Sequence, residues 1–170
     1  MTTLEPRTNL RPNVGLNLPE SGHSPAPKSR APVESLTTVV RNAVRGVDHT
    51  ALCPVARRDS GAALQPSMLL AILTCCYARE IFGSVDIERL MRRDNRFRGL
   101  CGDDYPDAQT LRRFRRQNRP ALQECLEVAL SFLAQRPEDH GTIPPQTILS
   151  VEATRRLDMA ACMDSLEFDS

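Results

Sequence analysis

From Leu36 onward the apolar positions recur with a helical period, and before it they do not. Residues 1–35 hold six prolines (Pro6, Pro12, Pro19, Pro25, Pro27, Pro32) among Ser, Thr, Asn and Gly. They predict a disordered Pro-rich leader, because the segment has too little apolar surface to offset the entropy of ordering. Leu36, Val39, Val40, Ala43, Val44 and Val47 then follow i, i+3, i+4, i+7 spacing, which predicts an amphipathic helix over 37–46 with Arg41 and Arg45 outside. Residues 48–65, punctuated by Pro54, Asp59, Ser60 and Gly61, predict a loop. Pro66–Ala78 is apolar nearly all round and opens on a proline, whose missing N–H is no loss at a helix start. It predicts a buried central helix and is too short to span a membrane.

A break at Phe82-Gly83-Ser84, with Ser84 the candidate N-cap, precedes a helix over 85–93 that turns Ile87, Leu90 and Met91 inward. Its arginines, Arg89, Arg92 and Arg93, then point outward. Residues 94–106 read as a connector pinned by Phe97 and Leu100, and Gly102-Asp103-Asp104 has the composition of a turn. Residues 107–119 read as a basic helix, capped by Asp107 and ended by Pro120. Leu122, Cys125, Leu126, Ala129, Leu130 and Leu133 define an amphipathic helix over 121–133. Pro137 and Gly141-Thr142-Ile143-Pro144-Pro145 break the pattern before a last helix over about 147–163. No segment alternates as a strand. The expected fold is all-α: a small helical bundle of four or five helices over 36–136 with a helix-turn-helix-like succession. Residues 137–170 are expected to form a linker and a C-terminal helical tail.

Composition adds little until the charge is mapped. The formal net charge is only +1, yet ten arginines face four acids between Arg89 and Arg119, so one face should be basic. Five of them, Arg112, Arg113, Arg115, Arg116 and Arg119, lie in 107–119 and cover an arc of roughly 160° if that segment is one helix. Leu111 and Phe114 fall on the opposite side. Such a helix packs with one face and offers guanidinium groups with the other, a shape suited to phosphates and to the edge of guanine. The competing reading is a solvated face whose arginines pair with acids on neighbouring helices.

Other chemistry is poorly supplied. The six cysteines (Cys53, Cys75, Cys76, Cys101, Cys125, Cys162) form no C-x-x-C pair, and with no secretory leader they read as reduced thiols in a cytoplasmic protein. The three histidines are scattered, so neither a metal site nor any cofactor is expected. No phosphate-binding loop or nucleophile elbow occurs.

Four blocks carry a resemblance: Leu64-Gln65-Pro66-Ser67-Met68-Leu69-Leu70, Gly83–Leu90, Phe97-Arg98-Gly99-Leu100-Cys101-Gly102, and Pro106-Asp107-Ala108-Gln109-Thr110-Leu111-Arg112-Arg113-Phe114-Arg115. In this order and spacing they resemble the N-terminal helical domain of DDE-type insertion-sequence transposases, the InsH-like group. The resemblance covers 64–116 and extends weakly to about 135. It implies a bacterial protein of DNA transposition that binds double-stranded DNA at transposon ends. Arg112, Arg113, Arg115, Arg116 and Arg119 would make the contacts, with Arg89, Arg92 and Arg93 as a secondary patch. The family continues into a nuclease domain whose three carboxylates hold two metal ions, the first in an Asp-Gly-Thr context. That triplet is absent from 1–170, and Glu152, Asp158, Asp164, Glu167 and Asp169 do not share one helical face. The chain is therefore not expected to cleave or join DNA by itself. Its expected partners are DNA, a second copy, or a separate catalytic half, and no membrane. The alternative is a small helical protein-interaction module that binds no DNA.

Overall fold

A computed structural model describes residues 35–56, 63–101, 104–135 and 144–166. The expected leader lies outside them apart from Ser35, as do the loop residues Asp59, Ser60 and Gly61, the Gly102-Asp103 turn and the break at Pro137 and Gly141–Ile143. Seven α-helices appear among the described residues: α1 (Leu36–Gly46), α2 (Pro66–Ala78), α3 (Ser84–Arg93), α4 (Asn95–Cys101), α5 (Ala108–Gln117), α6 (Arg119–Ala134) and α7 (Gln146–Leu166). The all-α expectation holds, and the one β feature described is an isolated bridge between Ala56 and Ala63.

The core forms around α2, whose residues Leu69 to Ala78 are all buried. Its sequence is apolar on every side, so neighbours must cover it all round. Packing of α1, α4, α5, α6 and α7 against it does so. α1 contributes Leu36, Val40 and Val44, and α6 contributes Leu122, Cys125, Leu126 and Ala129. Burial pushes the thiols of Cys75 and Cys101 up to about 11 and that of Cys125 up to about 12. These cysteines are core side chains, protonated at neutral pH.

Two elements depart from expectation. The connector 94–106 contains α4, which buries Phe97 and Cys101. Arg41 of α1 donates through Nη2 to the Gly99 carbonyl near its end, at 2.6 Å. The basic segment 107–119 is two helices, not one, because Asn118 leaves the helical region at φ −120°, ψ 30°. Pro120 sits in the first turn of α6, where proline is tolerated, so it opens a helix and does not close one. The Asn118 side chain fixes this joint: Oδ1 accepts from the Cys53 N–H at 2.7 Å, and Nδ2 donates to the Cys53 and Phe114 carbonyls. The expected C-terminal helix is α7. It lies along α6 and buries Leu149, Ala153, Leu157 and Ala160.

One cap joins α7 to the central helix. α2 ends with Glu80 at φ 63°, and Ile81 and Glu80 donate backward to the Cys76 and Tyr77 carbonyls, a Schellman closure without its usual glycine. Arg156 of α7 donates through Nη1 to the Tyr77 and Ala78 carbonyls at 2.9 and 3.0 Å. A guanidinium thus gives the Tyr77 carbonyl a second donor and supplies one to the Ala78 carbonyl at the helix end.

Candidate nucleic-acid interface

α5 is short, polar and strongly amphipathic, so its orientation follows from which residues it buries. Asp107 caps it by accepting from the Thr110 N–H at 2.6 Å. Leu111 and Phe114 are fully buried, with Ala108 and Thr110 beside them. A second carboxylate holds the same end from outside: Glu88 of α3 accepts from the Ala108 N–H at 2.9 Å. Its other oxygen accepts from Arg92 at 3.2 Å. The two basic helices are thereby joined, with an anion at the positive end of the α5 dipole.

The sequence-predicted arginines divide into three groups. Arg115 points inward, with 6% of its side chain exposed, and the expectation that it faces outward fails. Its Nη1 lies 2.6 Å from Asp164 Oδ2 and 3.3 Å from the Tyr77 hydroxyl. Burial pushes the Tyr77 phenol up to about 12, so at neutral pH it stays uncharged and its oxygen accepts. Arg112 is largely covered too, with Nε 3.4 Å from Asp164 Oδ1. Arg119 belongs to α6, half-exposed, and donates to Asp158 of α7 at 2.6 Å.

A second group is exposed but paired on its own helix: Arg89 with Asp86 at 3.4 Å and Arg92 with Glu88. Pairs of this kind are worth little and exchange readily for another anion. The third group is Arg93, Arg113 and Arg116. Among the described residues no acid lies in ion-pair distance of these three. Arg93 and Arg116 are exposed and Arg113 is half-buried. Gln109 shares the open side of α5 with Arg113 and Arg116.

Sequence reasoning missed Asp164, which organises this region. Oδ1 accepts from the Ser84 N–H at 2.8 Å and Oδ2 from the Ser84 hydroxyl at 2.7 Å. Ser84 is therefore not the cap of α3 but its first residue, and the capping carboxylate comes from α7. One acid holds the start of α3 and the guanidinium of Arg115 in α5. The signal was present: Leu149, Ala153, Leu157, Ala160 and Asp164 step by three or four, so Asp164 falls in the buried phase of α7.

A cleft of about 330 Å³ runs between α5 and α7, lined by Gln109, Arg112, Arg115, Arg116, Asp164 and Ser165 among others. Asp164 already supplies its anion. No group of three or more His, Cys, Asp or Glu side chains suited to a metal ion occurs among the described residues. None of the described helices is long and apolar enough to cross a membrane.

A family model described as a transposase domain, DUF772, matches residues 25–117, more than half of the chain. The match ends on the last residue of α5, so α6 and α7, with Asp158 and Asp164, lie beyond it. No curated protein and no solved structure matches the chain significantly.

Proposed function

The chain belongs to the transposase domain family DUF772, and from that membership we propose that it is a DNA-binding module of transposition, using the outer faces of α3 and α5. The observation that carries the reading is the trio Arg93, Arg113 and Arg116, which pair with no acid among the described residues and sit on two helices locked together by Glu88. Arg89 and Arg92 extend the patch, since weak same-helix pairs yield to a phosphate. Arg112 and Arg119 are secondary contacts in this reading, and Arg115 is a positioning residue. The finer resemblance to the InsH-like, DDE-type group belongs to the same proposal, as does a bacterial, cytoplasmic setting.

The test is titration of the full chain into duplex DNA, beside Arg113→Ala/Arg116→Ala. Neither side chain has an acidic partner among the described residues, so the variant should keep its helical circular dichroism and lose at least tenfold in affinity. A wild-type chain that leaves duplex DNA unbound at low salt overturns the reading. It would favour the second one, a helical protein-interaction module, to which the pairing of Arg115 and Arg119 with α7 acids also lends support.

A further inference from the structure

α7 is apolar on two sides. One side, through Leu149, Ala153, Leu157 and Ala160, is buried in the bundle. At 100° per residue Ile148, Val151, Met159, Met163 and Leu166 fall on the other, within an arc of about 120°. All five are exposed, Val151 by 69% and Leu166 by 59%. Single exposed apolar residues are ordinary, but five along one side of one helix, broken only by Glu152 and Arg155, mark a surface meant for contact. This row runs about 27 Å from Ile148 to Leu166.

We propose that this face binds a second copy of the chain through an antiparallel α7–α7 pair. Charge selects both the partner and the direction. Arg155, bonded to Glu152, interrupts the row, and exposed Asp158 lies on the same flank. The two sit at equal distances from a point between Arg156 and Leu157. In an antiparallel helix pair related by a two-fold axis, like flanks meet. An axis through that point sets Arg155 of each copy against Asp158 of the other. Asp158 can accept from it while keeping Arg119, since a carboxylate has several acceptor sites. The same register brings Ile148 against Leu166, and Val151 against Met163 and Cys162. A parallel pair would oppose Arg155 to Arg155 and put each Asp158 on the flank away from the other, leaving that repulsion unrelieved. One helix pair of this length buries less than a standard interface, so the dimer is concentration-dependent.

Cys162 is exposed and provides the probe. In Cys53→Ser/Val151→Cys full-length protein, mild oxidation should give a dimer linked by a disulfide between the introduced thiol of one copy and Cys162 of the other. Cys53→Ser alone should give none, because the two Cys162 residues stand about 16 Å apart along the axis. Sedimentation should show a dimer that Val151→Glu returns to monomer, with helical content unchanged because Val151 touches no core. A Cys162–Cys162 bond in Cys53→Ser, or a dimer indifferent to Val151→Glu, overturns the proposal. So does a protein that stays monomeric up to about 100 µM, a range where even weak specific dimers populate, whatever else its α7 face takes up.

Discussion

Arg115 and Asp164 meet at 2.6 Å with 6% and 5% of their side chains exposed, and this contact decides how the basic helix sits. Two charges withdrawn from water are tolerated because each is satisfied on several sides: Asp164 by Ser84 twice and by Arg112, Arg115 also by Tyr77. Removing one partner leaves the other charge buried and alone, which costs about 3–5 kcal/mol. Asp164→Ala should lower unfolding stability by that amount in urea, and also release the start of α3. Asp164→Asn, which can still accept from Ser84, should lose less. A loss below about 1 kcal/mol for the alanine variant would show that Arg115 is not held as described.

Thr74 presents the opposite case. Its Oγ1 is fully buried within α2 and finds no hydrogen-bond partner among the described residues. A hydroxyl in that position forfeits its hydration without return. Thr74→Val replaces it at nearly equal volume, and should raise stability by about 1 kcal/mol in the same urea titration. A destabilised valine variant would mean that the hydroxyl has a partner after all.

Glu152 gives the fold an acid-sensitive joint. The hydrogen bond from Arg155 does most to pull its carboxyl from 4.5 down to about 2; burial opposes it, and a hydrogen bond from Arg156 and the two positive charges add to the lowering. Its folded-state value lies below its unfolded one, so its contribution is fully present above pH 4.5 and fades as pH falls towards 2. Arg156 is the guanidinium that closes α2, so protonating Glu152 loosens that closure too. Glu152→Gln should be less stable than wild type at pH 7, and the two should converge between about pH 4 and 2. Parallel stability profiles across that window would remove Glu152 from the account.

Much of this architecture can be read from the chain because long apolar periods leave few alternatives. α1, α2, α3 and α6 come within a few residues of their expected limits, and burial at Ile87, Met91, Leu111 and Phe114 follows the pattern. α4 escaped because seven residues with a glycine inside are too few to establish a period. The joint at Asn118 escaped because Pro120 is equally compatible with ending one helix and opening the next. Which arginines face outward was not legible from their own helix. An arc of roughly 160° is wider than the open side of α5, so some had to turn inward. Their partners, Asp158 and Asp164, lie about forty to fifty residues away in α7. Only Asp164 betrays itself, as an acid in a buried phase.

The division among arginines sets the salt dependence of the proposed DNA binding. If all five arginines of 107–119 neutralised phosphates, log K would fall against log[salt] with a slope near −4.5, at about −0.9 per contact. With Arg115 buried and Arg119 on Asp158, the readily available set is Arg93, Arg113 and Arg116, worth a slope near −2.7, and each of Arg89 and Arg92 that exchanges its same-helix partner for a phosphate adds about −0.9. Arg113→Ala/Arg116→Ala should make it shallower by about 1.8 while leaving the unfolding midpoint within error. Arg115→Ala should behave in reverse, unfolding far more easily while its still-folded fraction keeps the wild-type slope. A slope that Arg113→Ala/Arg116→Ala leaves untouched would place the phosphate contacts on some other face of the bundle.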